Sequence, residues 1–181
     1  MQASAQHADG HLERVGDRSR LTFTRSLRHA PEKVWRALTE TEQLETWFPD
    51  GPPRGKFVEG AALEFGGNEA DGPMFTGTVV EVDPPRVLEF MWGDDTLRFE
   101  LRPDGDGTVL TFTDTFDEYG KAARDGAGWH ACLDMLGHGL DGTVPAGDNG
   151  ANWRELHSGY TAHFGPEAST IGPPAGHAVD D

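Results

Sequence analysis

The stretch Thr108–Leu140, TVLTFTDTFDEYGKAARDGAGWHACLDMLGHGL, changes its period halfway, and that change decides the fold. Up to Phe116 the residues alternate: Leu110, Phe112, Asp114 and Phe116 share one face and Val109, Thr111, Thr113 and Thr115 the other, the two-residue repeat of a half-buried strand. From Tyr119 the repeat lengthens. Trp129, Leu133, Leu136 and Leu140 fall three or four apart, so a helix from Tyr119 to about Gly142 presents one apolar stripe with Cys132 beside it. A strand with one face to bury, followed by a long helix with one apolar side, predicts that the helix covers the sheet. Gly126, Gly128, Gly137 and Gly139 each weaken that helix by about 1 kcal/mol relative to Ala, so close packing or a bend accounts for them better than helix propensity.

Working back from this strand, Ala62–Phe65, Met74–Val82, Arg86–Trp92 and Thr96–Leu101 are short apolar runs separated by GGNEADG, DPP, GDD and RPDGDG. Strand therefore follows strand in an antiparallel meander. Leu97, Phe99 and Leu101 share a face opposite Arg98 and Glu100. Nearer the start, Leu12–Val15 and Arg20–Arg28 flank the polar turn GDRS as a hairpin, with Leu21, Phe23, Arg25 and Leu27 on one face. HAPEKVWRALTETEQLETWFP (His29–Pro49) then gives two short helices in tandem. Pro31 suits a first helical position, Val34, Trp35 and Leu38 recur at helical spacing, and Thr39 or Thr41 caps the second helix, which carries Leu44, Trp47 and Phe48. Past the long helix, TVPAGDNG is a loop, Asn152 a cap, and Trp153, Leu156, Tyr160 and Phe164 a further helical stripe. The expected organisation is one domain over residues 11–165, with a disordered N-terminus at 1–10 and a disordered tail at 166–181.

Composition narrows the function classes. The chain has 181 residues, the size of one domain with tails, and Lys+Arg 15 against Asp+Glu 31 leaves a net charge of −16. Such a chain repels a phosphate backbone, so nucleic acid and anionic membranes are poor partners. No run approaches the roughly 20 apolar residues of a spanning helix and no secretory signal opens the chain, so the expected location is cytoplasmic. Cys132 is the single cysteine, which excludes an internal disulfide and multi-cysteine metal centres; no metal and no cofactor is expected.

The common catalytic motifs are missing: the sequence contains no GxSxG, HExxH or Walker loop. His130, Asp134 and His138 lie along one helical side, but a solvated polar side is the better reading of that spacing than a metal site. Cys132 reads as a small buried hydrophobe. Asp114 and Arg25 are different, because each is a charge on an otherwise apolar strand face and must be paired, solvated or neutral. If the first long strand and the last are neighbours, the two would form a polar anchor pair, with the Asp114 pKa lowered by Arg25; without Arg25, desolvation would raise it.

Several separated segments resemble one superfamily. APEKVWRALT at Ala30–Thr39, the WF at Trp47 and Phe48, VVEVDPPRVLEFMW at Val79–Trp92 and GWHACLDML at Gly128–Leu136 are similar to the SRPBCC, or START-like, superfamily, and within it to the branch related to the C-terminal domain of activators of the heat-shock-protein-90 ATPase. The resemblance spans roughly Leu12 to Gly165. It implies an α+β helix-grip fold, a curved antiparallel sheet wrapped around a long C-terminal helix with an apolar cavity between them, and two short helices after the first strand. It also implies three functional classes. The leading expectation is a non-enzymatic carrier or sensor of a small apolar or aromatic ligand, lined by Trp47, Phe48, Phe65, Phe90, Trp92, Phe99, Phe112, Asp114, Trp129 and Leu133. The second is a cyclase- or hydrolase-like enzyme in the same cavity, which requires two or more ionisable groups converging there. The third is a chaperone-activating or other protein-interaction module, marked by an exposed apolar patch around Trp153, Tyr160 and Phe164; a homodimer is the weaker expectation on assembly.

Overall fold

The computed structural model describes residues 8–68, 70–147 and 149–172. Two strands, β1 (His11–Val15) and β2 (Arg18–Leu27), lead into helices α1 (Pro31–Thr39) and α2 (Thr41–Leu44). A meander follows: β3 (Ala62–Phe65), β4 (Phe75–Asp83), β5 (Val87–Trp92), β6 (Asp95–Asp104) and β7 (Gly107–Phe116). A short 3-10 turn, Tyr119–Lys121, opens the long helix α3 (Ala122–Asp141), and α4 (Asn149–Phe164) and a last 3-10 turn, Pro166–Ser169, close the chain. The seven strands form one antiparallel sheet in the order β1-β2-β7-β6-β5-β4-β3, so the first long strand and the last are neighbours.

The register turns sequence parity into layers on the concave face. One row runs Phe90, Leu97, Asp114, Leu21 across β5, β6, β7 and β2; the next runs Leu88, Phe99, Phe112, Phe23; Leu101, Leu110 and Arg25 follow. At the other end Trp92 lies opposite Asp95. Against these rows α3 lays Trp129, Leu133, Leu136 and Leu140, all buried, as expected of its stripe. The helix α1 buries Val34, Ala37 and Leu38, and the chain after α2 places Trp47 and Phe48 over the β3–β6 half, where Trp47 meets Phe99 and Phe48 meets Phe65 and Phe90. Strands β4 and β5 approach closely at Gly77, where a Cβ would stand 1.7 Å from the Met91 carbonyl oxygen.

The register also removes an expected contact. Arg25 and Asp114 do lie on the same face of adjacent strands, but Asp114 is opposite Leu21 and Arg25 is opposite Leu110, with the Phe23–Phe112 row between them. An offset of four residues is about 13 Å along a strand, too far for a direct or single-water bridge. Arg25 Nη1 instead donates to Asp9 Oδ2 at 2.9 Å and Nη2 to Asp9 Oδ1 at 3.3 Å, and the anchor pair does not exist. A smaller expectation also changes. Position Glu40, rather than Thr39 or Thr41, precedes α2, and it makes no side-chain cap.

The packed chain extends past residue 165. Ala168 is buried, Ile171 N donates to Gly120 O, and a Cβ on Gly120 would meet Thr170 Oγ1, so Pro166–Gly172 docks beside the start of α3 instead of trailing free. At the other end Gly10 N donates to Tyr160 Oη at 3.0 Å. Tyr160 packs edge-on to Phe23 and lies against Gly126, where a Cβ would come within 3.1 Å of its ring; close packing is thus the reason for that helix glycine. Residues 1–7 and 173–181 of the expected tails lie outside the described residues.

Candidate functional site

Most of the residues expected to line a cavity are brought together, and they pack on one another. Phe48 lies 6.0–6.4 Å, ring to ring, from Phe65, Phe90, Trp92 and Trp129. Trp129 stands 4.8 Å from Phe112 and 5.3 Å from Trp92, and Phe99 is 4.8 Å from Phe112. Trp47 donates its indole N–H to Ala37 O, Leu133 is buried one turn beyond Trp129, and Trp92 alone of the set is half-buried. An aromatic interior this closely stacked is a filled core where the resemblance had implied an open chamber between sheet and helix. Among the described residues, two clefts lie at its margins.

One margin is polar. Asp114 is 0% exposed, and its Oδ2 accepts the Trp129 Nε1–H at 2.9 Å. Carboxylate oxygens of Asp95, Asp114 and Asp125 all fall within 4.8 Å of one another, a spacing that suits a cation. Lys121 supplies one: its ammonium donates to Asp95 Oδ2 at 2.5 Å and lies 3.3 Å from Asp125 Oδ2. Arg124 Nε completes the Asp125 pairing at 2.9 Å. The strands set Asp95 and Asp114 by inward parity, and the 3-10 turn followed by α3 sets Lys121 and Asp125 one helical turn apart.

Burial decides the charge states. Desolvation pushes Asp114 well above the usual carboxylate range, the negative charges of Asp95 and Asp125 add to it, and Lys121 and the Trp129 N–H only partly oppose it. Asp95 is raised by burial as well, against the pull of Lys121. For Lys121 burial acts downward, but Asp125 and Asp95 outweigh it and the ammonium is held charged. The expected lowering of the Asp114 pKa is thus reversed, because Arg25 is absent from its surroundings. Asp114 Oδ1 and Trp92 Nε1 are buried with no hydrogen-bond partner among the described residues. An unmet buried polar atom costs about 1–3 kcal/mol, so each marks a place where a water or ligand is wanted.

A cleft of 470 Å³ opens onto this cluster, lined by Phe75, Trp92, Gly93, Asp94, Asp95, Asp117, Glu118 and Lys121. Phe75 and Trp92 form its aromatic wall, edge to face at 5.3 Å. A second cleft of 400 Å³, lined among others by Trp47, Cys132, Met135, His138 and Leu156, lies between α3, α4 and the loop joining them. Burial pushes the Cys132 thiol to about 12, so it is no thiolate nucleophile. His130 bonds Tyr160 Oη through Nδ1 at 2.8 Å and faces Asp134 with Nε2, while His138 bonds Thr143, so the expected solvated side of α3 is partly a structural network. Tyr160 is buried and Trp153 and Phe164 are half-buried against the core, which removes the apolar patch expected of an interaction surface on α4.

Sequence reasoning singled out Asp114 but missed Asp95, Lys121 and Asp125. A signal was present for each: Asp95 is two residues before Leu97 on the inward parity, and Lys121 and Asp125 are at i,i+4 spacing.

Comparison with known proteins fits this architecture. The family model of Activator of Hsp90 ATPase homolog 1-like proteins matches residues 28–141. No curated protein matches the chain by sequence. Among solved structures, CalU16 from Micromonospora echinospora is similar with TM-score 0.66 and 21% identity, covering 84% of this chain and 94% of that one. The protein encoded by gene BPP1335 from Bordetella parapertussis gives TM-score 0.62 and 26% identity over 88% and 94%. The Aha1 dimer from Colwellia psychrerythraea gives 0.56 and 21% over 67% and 95%. With the helix-grip sheet, the α3 stripe and the matched segment in agreement, the chain belongs to the family of Activator of Hsp90 ATPase homolog 1-like proteins.

Proposed function

We propose that the chain binds a small, largely aromatic ligand in the cleft between the β5–β6 turn and the start of α3. Phe75 and Trp92 are its wall and Asp95 and Lys121 its polar floor, with Asp114 buried behind Asp95. The family supports a ligand-binding or protein-interaction module in general. The single observation that favours a ligand is Asp114, a fully buried carboxyl with one oxygen unpartnered behind an aromatic-walled opening. Pockets that hold small molecules combine apolar walls with a few such convergent polar groups.

The test is a panel of naphthalene- to steroid-sized aromatic compounds, followed by thermal unfolding and by quenching of tryptophan emission. A ligand present at about 100 times its Kd adds about 2.7 kcal/mol to stability, or several degrees in Tm for a chain of this size. Binding should be weakened by Trp92→Ala and left unchanged by Cys132→Ser, which changes only the other cleft. A panel in which nothing raises Tm or quenches emission overturns the proposal.

One observation favours an enzymatic second reading: Asp95 and Lys121 line the floor with Asp114 and Asp125 clustered behind them, and two ionisable groups are the minimum for acid–base work. On that reading Asp114 is the proton donor to a bound ketone or enol, and product formation from such a ligand should stop in Asp114→Asn. The dimer in the Colwellia structure supports a homodimer for this chain too. A monomer mass by light scattering at high micromolar concentration would rule that out.

A further inference from the structure

We propose that Asp95, Asp114 and Asp125 form a site for a calcium-like divalent cation, entered from the cleft beside the β5–β6 turn when the Lys121 ammonium moves aside. The inference stands on the carboxylate cluster and does not need the ligand-binding reading above. One carboxylate oxygen from each residue lies within 4.8 Å of the other two, and the three residues come from β6, β7 and α3. Neighbouring carboxylates are common on an acidic chain; burial without satisfaction sets this group apart. Asp114 is 0% exposed, and with Oδ2 bonded to Trp129 its Oδ1 has no partner among the described residues. Asp125 Oδ2 is buried as well and, though 3.3 Å from the Lys121 ammonium, makes no hydrogen bond. Two oxygens of the group thus lack the donor or cation that a buried carboxylate requires.

Charge points the same way. Asp95 on β6, Lys121 in the 3-10 turn and Asp125 on α3 face Asp114, while Arg18 on β2 faces Asp95 and Arg124 pairs with Asp125. One ammonium does not balance the carboxylates around it, so Asp114 keeps its proton. A divalent ion in place of the ammonium lets Asp114 ionise and, with Arg124, brings the cluster to neutrality. Lys121 has somewhere to go: it lines the cleft together with Asp117 and Glu118, and its flexible stem can turn the ammonium towards them. Among the described residues the cluster holds carboxylates and no His or Cys, which suits a hard cation and not zinc or copper. Magnesium sheds water reluctantly and demands near-octahedral geometry. Calcium takes about six to eight oxygens in a flexible shell, which three carboxylates and waters from the cleft can complete.

The probe is Tb3+, titrated into the full chain with tryptophan-sensitised terbium emission as the readout, since Trp129 donates to Asp114 itself. Emission should saturate at a single site, and Ca2+ should displace Tb3+ at about tenfold lower concentration than Mg2+ does. Asp114→Asn removes a ligand charge and should weaken Tb3+ by about tenfold or more, whereas Glu81→Gln, in the Arg98 ion pairs of the opposite sheet face, should change nothing. Lys121→Met removes the competing ammonium and should tighten binding about tenfold; a Lys121 that only holds the fold together would give a less stable variant with no gain in affinity. Calorimetry in two buffers of different ionisation heat should show Ca2+ releasing about one proton more from wild type than from Asp114→Asn. Affinity should rise with pH and level off above the Asp114 pKa. Equal emission from wild type and Asp114→Asn would mean an adventitious ion only, on surface acids, and would overturn the site. Absence of sensitised emission, equal displacement by Mg2+ and Ca2+, equal proton release from the two proteins, or no tightening in Lys121→Met would overturn it too, and each leaves the ligand-binding reading in place. If Lys121→Met does not fold, the proton count and the Asn variant decide.

Discussion

Replacing Asp114 with Asn should make stability less sensitive to pH, in a direction that a salt-bridged aspartate would reverse. The amide keeps an acceptor for Trp129 Nε1 and removes the titrating group. Burial raises the folded pKa of Asp114 above the unfolded value of about 3.9, so the folded protein still holds the proton where the unfolded chain has lost it. The stability it contributes is present in full below the unfolded pKa and is lost as pH rises to and through the folded one, at up to about 1.4 kcal/mol per pH unit. The variant has no such loss. Its unfolding free energy minus that of wild type should therefore climb with pH at up to that slope, and level off above the folded pKa. Asp95 shifts in the same direction and lies close enough to titrate with Asp114, so the slope of the difference belongs to the pair. Urea unfolding of both proteins from pH 4.5 to 8 in half-unit steps gives the curve. A difference that falls as pH rises would mean an ionised, stabilised Asp114 and would refute the neutral carboxyl and everything built on it.

Other outcomes follow from the same contacts. Tyr160→Phe removes a buried hydroxyl that bonds both Gly10 N and His130 Nδ1, and should cost about 1–3 kcal/mol in urea unfolding, since Gly10 N loses its partner and His130 Nδ1 keeps only Asp9 Oδ1 at 3.4 Å; a loss under about 0.5 kcal/mol would show that water replaces it. Arg25→Ala breaks a pair with a half-exposed Asp9 and should cost under about 1 kcal/mol, without altering the pH profile assigned to Asp114. Gly77→Ala forces β4 from β5, because its Cβ would collide with the Met91 carbonyl, and should lower stability by about 2–4 kcal/mol; unchanged Tm would contradict the close approach.

What the sequence made legible was whatever periodicity controls. The alternation in Leu110–Phe116 and the stripe Trp129–Leu140 put each of those residues on the face where the structure has it, and the turns GDD and RPDGDG separate β5, β6 and β7. Register was not legible, because alternation fixes which face a residue takes but not which residue stands opposite. That is why Arg25 and Asp114, correctly assigned to one face, ended two rows apart. The filled interior escaped for a related reason: parity points Phe48, Phe90 and Trp129 inward, but whether inward rings line a void or fill it depends on the separation of sheet and helix. Lys121 and Asp125 went unnoticed because each is ordinary on a helix surface. Only the arrival of Asp95 and Asp114 from the sheet makes them a site.

The position of α4 bears on how anything could reach that site. Tyr160 and Leu156 are buried, a Cβ on Gly126 would press on the Tyr160 ring at 3.1 Å, and Tyr160 Oη joins His130 of α3 to Gly10. Helix α3 is thereby fastened to its neighbour, and lifting it off the sheet would mean moving two helices and the N-terminal segment as one body, a motion of microseconds to milliseconds. Rotation of the half-buried Trp92 at the cleft involves one side chain, on a timescale nanoseconds can cover when neighbours permit. Association rates should therefore respond to the bulk of residues 75 and 92 and be indifferent to the length of the loop between α3 and α4, making the gate a matter of rotamers and not of domain movement.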